Sequence, residues 1–375
     1  MDFALTEEQE AIFDMARAFG AEHIAPNAQK WEAEGSIPKE LWPQLAELGF
    51  GGLYVSEDSG GSGLTRLDAT FVFEALSMAC PSVAAFLSIH NMCAAMIDKF
   101  GNDDIKERYL APAITMEKFF SYCLTEPGSG SDAAALKTRA AKTNEGYVLD
   151  GSKAFISGGG YSDAYVVMAR TGDDSPRGIS ALIVDDGAEG LSFGGLEQKM
   201  GWKSQPTRQV QFDACKVAAD NLLGEEGMGF KYAMAGLDGG RLNISACSLG
   251  AAQAALNSTL DYMGERKAFG KAVIEFQNTQ FTLAELKTEA TVGRTFYNWC
   301  VGEHLEGRLT PELASMAKYW LSDLQGKIVD ACLQLHGGYG YMNEYPIARM
   351  FRDARVQRIY GGTNEIMKLL ISRSL

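Results

Sequence analysis

The chain has 375 residues, 46% hydrophobic and 22% charged, which leaves room for a large core and two or three structural units. Its formal net charge of −14 argues against non-specific binding to nucleic acid or to an anionic membrane surface. The seven cysteines (Cys80, Cys93, Cys123, Cys215, Cys247, Cys300, Cys332) are odd in number and scattered, without a CxxC or Cys/His cluster, so neither a metal site nor a disulfide framework is expected.

Residues 1–120 read as helical. Thr6-Glu7-Glu8-Gln9 has capping-box spacing, and Ile12, Met15, Ala16 and Phe19 recur at helical intervals behind it. The opening "MDFALTEEQEAIF" has no basic segment leading into an apolar one and no Arg-rich leader, and no apolar run approaches membrane-spanning length. Together with reduced thiols, this leads us to expect a cytoplasmic protein with no membrane partner. Pro38 suits the first turn of a helix over "PKELWPQLAELGF".

From 121 to 225 the period shortens. "YVLDGSKAFISG", "AYVVMAR" and "GISALIVDD" are short β-rich runs bounded by turn signals, as in a compact β domain. From 226 to 375 long helices return, broken at Pro311 and at glycine turns near 337–340 and 361–362. Helical, β, helical is an α+β arrangement, with domains expected at 1–120, 121–225 and 226–375.

Five stretches carry candidate chemistry. "YCLTEPGSGSD" (122–132) offers a Thr125 hydroxyl, glycine-exposed amides and Ser131 to a planar polar ring or a phosphate, although a plain Gly/Ser turn explains it as well. "FISG" (155–158) ends a strand with the Ser157 hydroxyl. "GLDGGRLNISACSLGAAQAAL" (236–256) is expected to start a helix with Asp238 as its cap, leaving Arg241 oddly placed near a positive helix end. "ERKAFGKAVIEFQNTQ" combines Arg266, Phe269 and Gln277, and a guanidinium matches pyrophosphate by its forked geometry. In "QLHGGYGYMNEYPIARMFRDAR" two glycines let backbone approach a ligand, while His336 reads as a packed or turn histidine.

Taken in order, these motifs, closed by "YGGTNEIMKLLISR", resemble the acyl-CoA dehydrogenase family along essentially the whole chain. "SIHNMCAAMIDKFG", "SQPTR" and "GLDGGRLNISACSLGAA" are most similar to the branch acting on short branched acyl-CoA such as isobutyryl-CoA. The resemblance implies the family's fold, a homotetramer with FAD in each subunit, an acyl-CoA substrate and electron transfer flavoprotein as acceptor. By that resemblance Tyr122, Leu124, Thr125, Gly130 and Ser131, with Phe155, Ile156 and Ser157, would hold the flavin ring. Arg266, Phe269, Phe276 and Gln277, with Gln334, Leu335, Gly337 and Gly338, would hold the FAD tail, partly across a subunit interface, and Thr363 and Glu365 would also touch FAD. Ser131, Asp238, Gly239, Gly240, Arg241 and Arg373 would line the acyl-CoA site.

One departure stands out. Most members carry a glutamate base between the Tyr and the Gly-Thr of the last motif, where this chain has Gly361. A minority place it just before the helix arginine, where this chain has Gly240. Asp238, Glu126 and Glu365 are each committed elsewhere by the pattern. The resemblance implies that the Gly361 N–H still polarises the thioester carbonyl, so dehydrogenation is expected to be slow or lost. A reaction needing no α-proton base, such as loss of a β-sulfinate or carboxylate, and a non-catalytic acyl-CoA-binding flavoprotein are the alternatives.

Overall fold

Thr6 accepts the Gln9 N–H and the Gln9 side chain accepts the Thr6 N–H, so the capping box read from the sequence starts α1 (Glu7–Phe19). The structure, a computed structural model, describes residues 6–375 apart from the side chains of Leu237 and Asp238. Next come α2 (Ala28–Glu34), α3 (Leu41–Glu47), α4 (Arg66–Ala79), α5 (Pro81–Phe100), α6 (Asp103–Ile105) and α7 (Ala111–Ile114). Pro38 falls in the turn before α3 rather than in its first turn, its carbonyl accepting the Leu41 N–H at 3.2 Å. Trp42, Phe73, Phe86 and Phe119 anchor the core of this region.

The middle of the chain forms a sheet of β1 (Phe120–Cys123), β2 (Arg139–Lys142), β3 (Gly146–Ser157), β4 (Ala164–Arg170), β5 (Ile179–Asp185), β6 (Leu191–Phe193), β7 (Thr207–Ala218) and β8 (Leu222–Leu223). The strand order is β6-β7-β3-β2-β4-β5-β8, with β1 beside β4. Why "AYVVMAR" lacks polar alternation is now plain. Val166 and Met168 pack towards Ala94 and Ile97 of α5, while Tyr165 and Val167 pack towards Leu149 and Val210 in the second layer. A strand buried on both faces needs apolar side chains at every position.

The C-terminal part contains α8 (Gly229–Glu265), a hairpin of β9 (Lys267–Ala268) and β10 (Lys271–Ala272), then α9 (Gln277–Leu305), α10 (Pro311–Leu335), α11 (Pro346–Ala354) and α12 (Asn364–Ser372). Here the helix expected to begin at Asp238 begins nine residues earlier, at Gly229. Asp238 is therefore an interior position, and Arg241 lies roughly three turns inside, where the terminal dipole no longer opposes it. Interior glycines each cost about 1 kcal/mol of helix propensity, but α8 packs along both α4 and α10, and that tertiary contact decides the matter. Among the described residues no helix is long and apolar enough to cross a membrane.

Candidate active site

The 122–132 loop is held from below by a buried ion pair that sequence reasoning missed. Lys153, fully buried on β3, donates to the Leu124 carbonyl at 3.1 Å and to Glu126 Oε1 at 2.8 Å. The Glu126 carboxylate also accepts the amides of Lys137 at 2.6 Å and Thr138 at 2.9 Å. Burial alone would raise the Glu126 carboxyl, yet Lys153 and these donors hold it below its ordinary range. Glu126 is thereby excluded as a free base. Above the pair, the backbone N–H of Ala154 donates to the Thr125 carbonyl at 2.8 Å, fixing the loop to the strand that carries Phe155 to Ser157.

A register shift between Lys153 and Ile156 in the β3–β7 ladder turns Phe155 outward, with φ +58° and 68% of its surface exposed. Ile156 is buried beneath it, and Ser157 is half-buried at the strand end. Ser131 and Gly130 are exposed, and a Cβ on Gly130 would meet no atom within 4 Å. The Tyr122 hydroxyl is buried without a hydrogen-bond partner among the described residues. This loop presents open backbone over a rigid base.

A second group surrounds a cavity of about 560 Å³ lined by Arg266, Leu335, His336, Gly337, Gly338 and Tyr339, among others. Arg266 ends α8 and its guanidinium lies 5.2 Å from the Tyr339 ring centre. Gly337 and Gly338 each leave open space where a Cβ would stand. His336 is a packing residue, stacked on Tyr262 at 4.4 Å with Nδ1 against the Cys332 carbonyl. Phe269 stands at the tip of the β9–β10 hairpin with φ +51°, 96% exposed and edge-on to Phe276. Gln277 and Gln334 are exposed near this group. The residues lining this cavity include none of the 122–132 loop and not Gly361.

The third group surrounds Gly361 and the stretch of α8 around Gly240, the two positions where the resemblance leads one to expect a base. Gly361 and Gly362 have φ +64° and +90°, and Ile244 of α8, one turn beyond Gly240, packs against Gly361. Gly239 packs against the Arg66 guanidinium, which itself stacks on Tyr54 at 3.9 Å. Arg241 is buried on the next position of α8. Thr363 caps α12 by accepting the Ile366 N–H at 3.3 Å. Glu365 is exposed in the first turn, its carboxyl held below the ordinary range by local hydrogen bonds. Arg373 is exposed at the far end of α12, roughly 13 Å along the helix from Asn364. The Asp238 side chain lies outside the described residues.

Behind this loop, Trp202 meets the Tyr360 ring edge-on at 4.9 Å, and the Trp202 backbone N–H donates to Asp353 Oδ1 at 2.6 Å. Burial pushes the Asp353 carboxyl up to about 6. Lys318 of α10 supports the loop from within the bundle, donating to the Gly362 carbonyl. Lys153, Trp202, Ile244, Lys318 and Asp353 escaped the sequence reading. A lone lysine inside an apolar run, as in "GSKAF" and "SMAKYW", is the one signal that could have exposed two of them.

Open backbone beside a forked guanidinium suits a pyrophosphate, and a glycine loop over an apolar floor suits a flat ring, so the residues present fit FAD. The chain matches Acyl-CoA dehydrogenase, N-terminal domain, over residues 6–117, the middle domain over 121–215 and the C-terminal domain over 227–375. It belongs to the acyl-CoA dehydrogenase family, FAD-dependent oxidoreductases acting on CH–CH bonds. The mitochondrial isobutyryl-CoA dehydrogenase of Bos taurus is 48% identical over 372 residues, covering 99% of this chain and 89% of that protein. Butyryl-CoA dehydrogenase from Megasphaera elsdenii has the same fold, with TM-score 0.95, 38% identity and coverage of 100% and 99% of the two chains. A solved structure described as the electron transferring flavoprotein of Acidaminococcus fermentans matches with TM-score 0.96 and 38% identity over 100% and 99%.

Proposed function

We propose that this protein takes a short branched acyl-CoA such as isobutyryl-CoA, in the manner of an α,β-dehydrogenase whose proton-accepting carboxylate has been lost. The observation that supports this reading is Gly361 packed against Ile244, one helical turn beyond Gly240, so that neither position expected of a family base carries a carboxylate. When bound, FAD supplies the acceptor for the β-hydrogen as hydride. The chain supplies position and polarity. Tyr122, Leu124, Thr125, Gly130, Ser131 and Phe155 to Ser157 would hold the ring; Arg266, Phe269, Phe276, Gln277 and Gln334 to Gly338, with Thr363 and Glu365, would hold the rest of the cofactor. Ser131, Asp238 to Arg241 and Arg373 line the acyl-CoA site.

The Gly361 N–H donates to the thioester carbonyl, favouring the enolate-like charge that develops as the α-proton leaves. Without a carboxylate, that proton passes to water, and turnover falls by about 10²–10⁴-fold relative to a site with a positioned base. Electrons pass on to an electron transfer flavoprotein. The exposed Phe269, Phe281 and Tyr341 support assembly into a homotetramer. Domain boundaries near 120 and 225, and a reducing compartment such as cytoplasm, complete the reading; the latter is supported by seven free, buried thiols.

The test is anaerobic absorbance of the FAD-loaded protein. Isobutyryl-CoA should perturb the flavin spectrum at once, while bleaching follows slowly and accelerates in Gly240→Glu. Absence of any spectral response to acyl-CoA would overturn the reading. A second reading, acyl-CoA chemistry that needs no α-proton base, is favoured by the same two glycines; a β-sulfino or β-carboxy acyl-CoA consumed without flavin bleaching would select it.

A further inference from the structure

Lys318 lies two turns into α10 with its side chain fully buried. Its Nζ donates to the Gly362 carbonyl at 2.7 Å and to Asn364 Oδ1 at 2.9 Å. Asn364 is in turn fixed by Nδ2 donating to Ser322 Oγ at 3.0 Å and to Asp323 Oδ1 at 3.1 Å. Both acceptors of Lys318 belong to the turn that begins with Gly361. That turn contains two consecutive glycines at positive φ, so its own backbone restrains it weakly. Two hydrogen bonds from one cation therefore tie it to α10 within three residues of the empty base position.

Among the described residues, Arg241 on α8 opposes the charge of Lys318, while Asp323 on α10 and Glu365 on α12 favour it. Among the described residues none of these groups lies on α9 or α11. Burial first, and Arg241 second, bring the ammonium down to about 7. Hydrogen bonds from an ammonium are roughly twice as strong as those from a neutral amine.

We propose that Lys318 is a positioning residue whose ammonium sets the Gly361–Asn364 turn, and with it the Gly361 N–H offered to the thioester, so that acyl-CoA is held more tightly while the ammonium is intact. This rests on the reading of Gly361 given above. The residue touches neither substrate nor reacting atoms; it acts through the backbone of the turn.

Two measurements on the FAD-loaded protein test it. The first needs no acyl-CoA: hydrogen exchange of the 360–366 backbone at fixed pH should quicken about tenfold or more in Lys318→Met, with exchange in β4 and β5 unchanged. The second is titration with isobutyryl-CoA, followed by flavin absorbance. In the wild type, Kd should rise about fivefold from about pH 6 to about pH 8.5, the ratio corresponding to one strengthened hydrogen bond. Lys318→Arg, which keeps its charge, should bind without that pH step, and Lys318→Met should bind weakly at both ends. If Lys318→Met does not fold, the wild-type profile and Lys318→Arg still decide. Unchanged exchange in Lys318→Met, or a wild-type Kd flat across this range, overturns the inference alone. A wild type whose spectrum ignores every acyl-CoA overturns the functional reading and this inference together.

Discussion

The terminal methyl of Ile244 fills the space into which a Cβ on Gly361 would project. At Gly361 a side chain would thus have to displace the movable end of Ile244 and adopt a backbone φ of +64° that L-residues disfavour. At Gly240 a Cβ would meet no atom of the described residues within 4 Å, the helix's own backbone aside, and the backbone is helical. The two empty positions are therefore not equivalent.

It follows that Gly240→Glu should be the better repair. Flavin bleaching by isobutyryl-CoA should accelerate by about 10²-fold or more, the range of a positioned general base. Gly361→Glu should lose about 1–2 kcal/mol to left-handed backbone strain and recover less rate. Adding Ile244→Ala to Gly361→Glu should raise the rate again. Equal rates for the two single mutants, measured by anaerobic stopped flow, would contradict the steric account.

The pair beneath the 122–132 loop should behave as a unit. Lys153→Met leaves the buried Glu126 carboxylate without its cation and should cost about 3–5 kcal/mol. Lys153→Met with Glu126→Gln should regain part of that loss, because the unpaired charge is gone. Denaturant midpoints and the 450 nm to 280 nm absorbance ratio report stability and retained FAD. A Lys153→Met protein with wild-type midpoint and flavin content would remove the loop's foundation from the account.

Arg266 ends α8 at the mouth of the 560 Å³ cavity. If it grips the cofactor's phosphates, Arg266→Ala should weaken FAD by about 1.5–3 kcal/mol, on the order of 10- to 150-fold in Kd, the worth of a hydrogen bond to a charged group. Arg266→Lys should recover only part, since a point charge lacks the fork. Fluorescence titration of the apoprotein with FAD measures both.

Asp353 supplies a pH signature. Its carboxyl is raised from the ordinary 3.8 to about 6, chiefly by burial. A raised acid favours the folded state while protonated, and that contribution is lost as pH climbs through the folded value. Asp353→Asn should accordingly gain on the wild type by on the order of 1–2 kcal/mol between about pH 5 and about pH 8. The midpoint difference between the two proteins at both pH values checks this, and a difference independent of pH would refute it.

Most of the architecture was legible because its signals are local. The Thr6 box and the helical, β, helical order depend on neighbours in sequence. His336 was expected to be a packed or turn histidine and it packs, although its partner Tyr262 was not foreseen. What escaped depends on distant contacts. The start of α8 was misplaced because three glycines look like a terminus until α4 and α10 are packed along them. Phe155 points outward because of a bulge that β3 acquires only against β7. Ile244 beside Gly361 and Lys318 beneath Gly362 each join positions far apart in the chain, and nothing in either segment announces the other.

The unbroken course of α8 has a mechanical consequence. Its 37 residues make a rod of roughly 55 Å. Gly229 sits hard against the Ser180 backbone of the sheet, and Gly250 sits against Glu74 of α4. One strut thus braces the sheet at one end and the N-terminal helices further along, with Gly240 and Arg241 between the two anchorages. Hinge opening of the sheet away from the helices would have to bend that strut. Entry and exit at the site fall instead to the loops around it, and a kink engineered into α8, rather than a change beside Gly361, is the way to make the whole molecule flex.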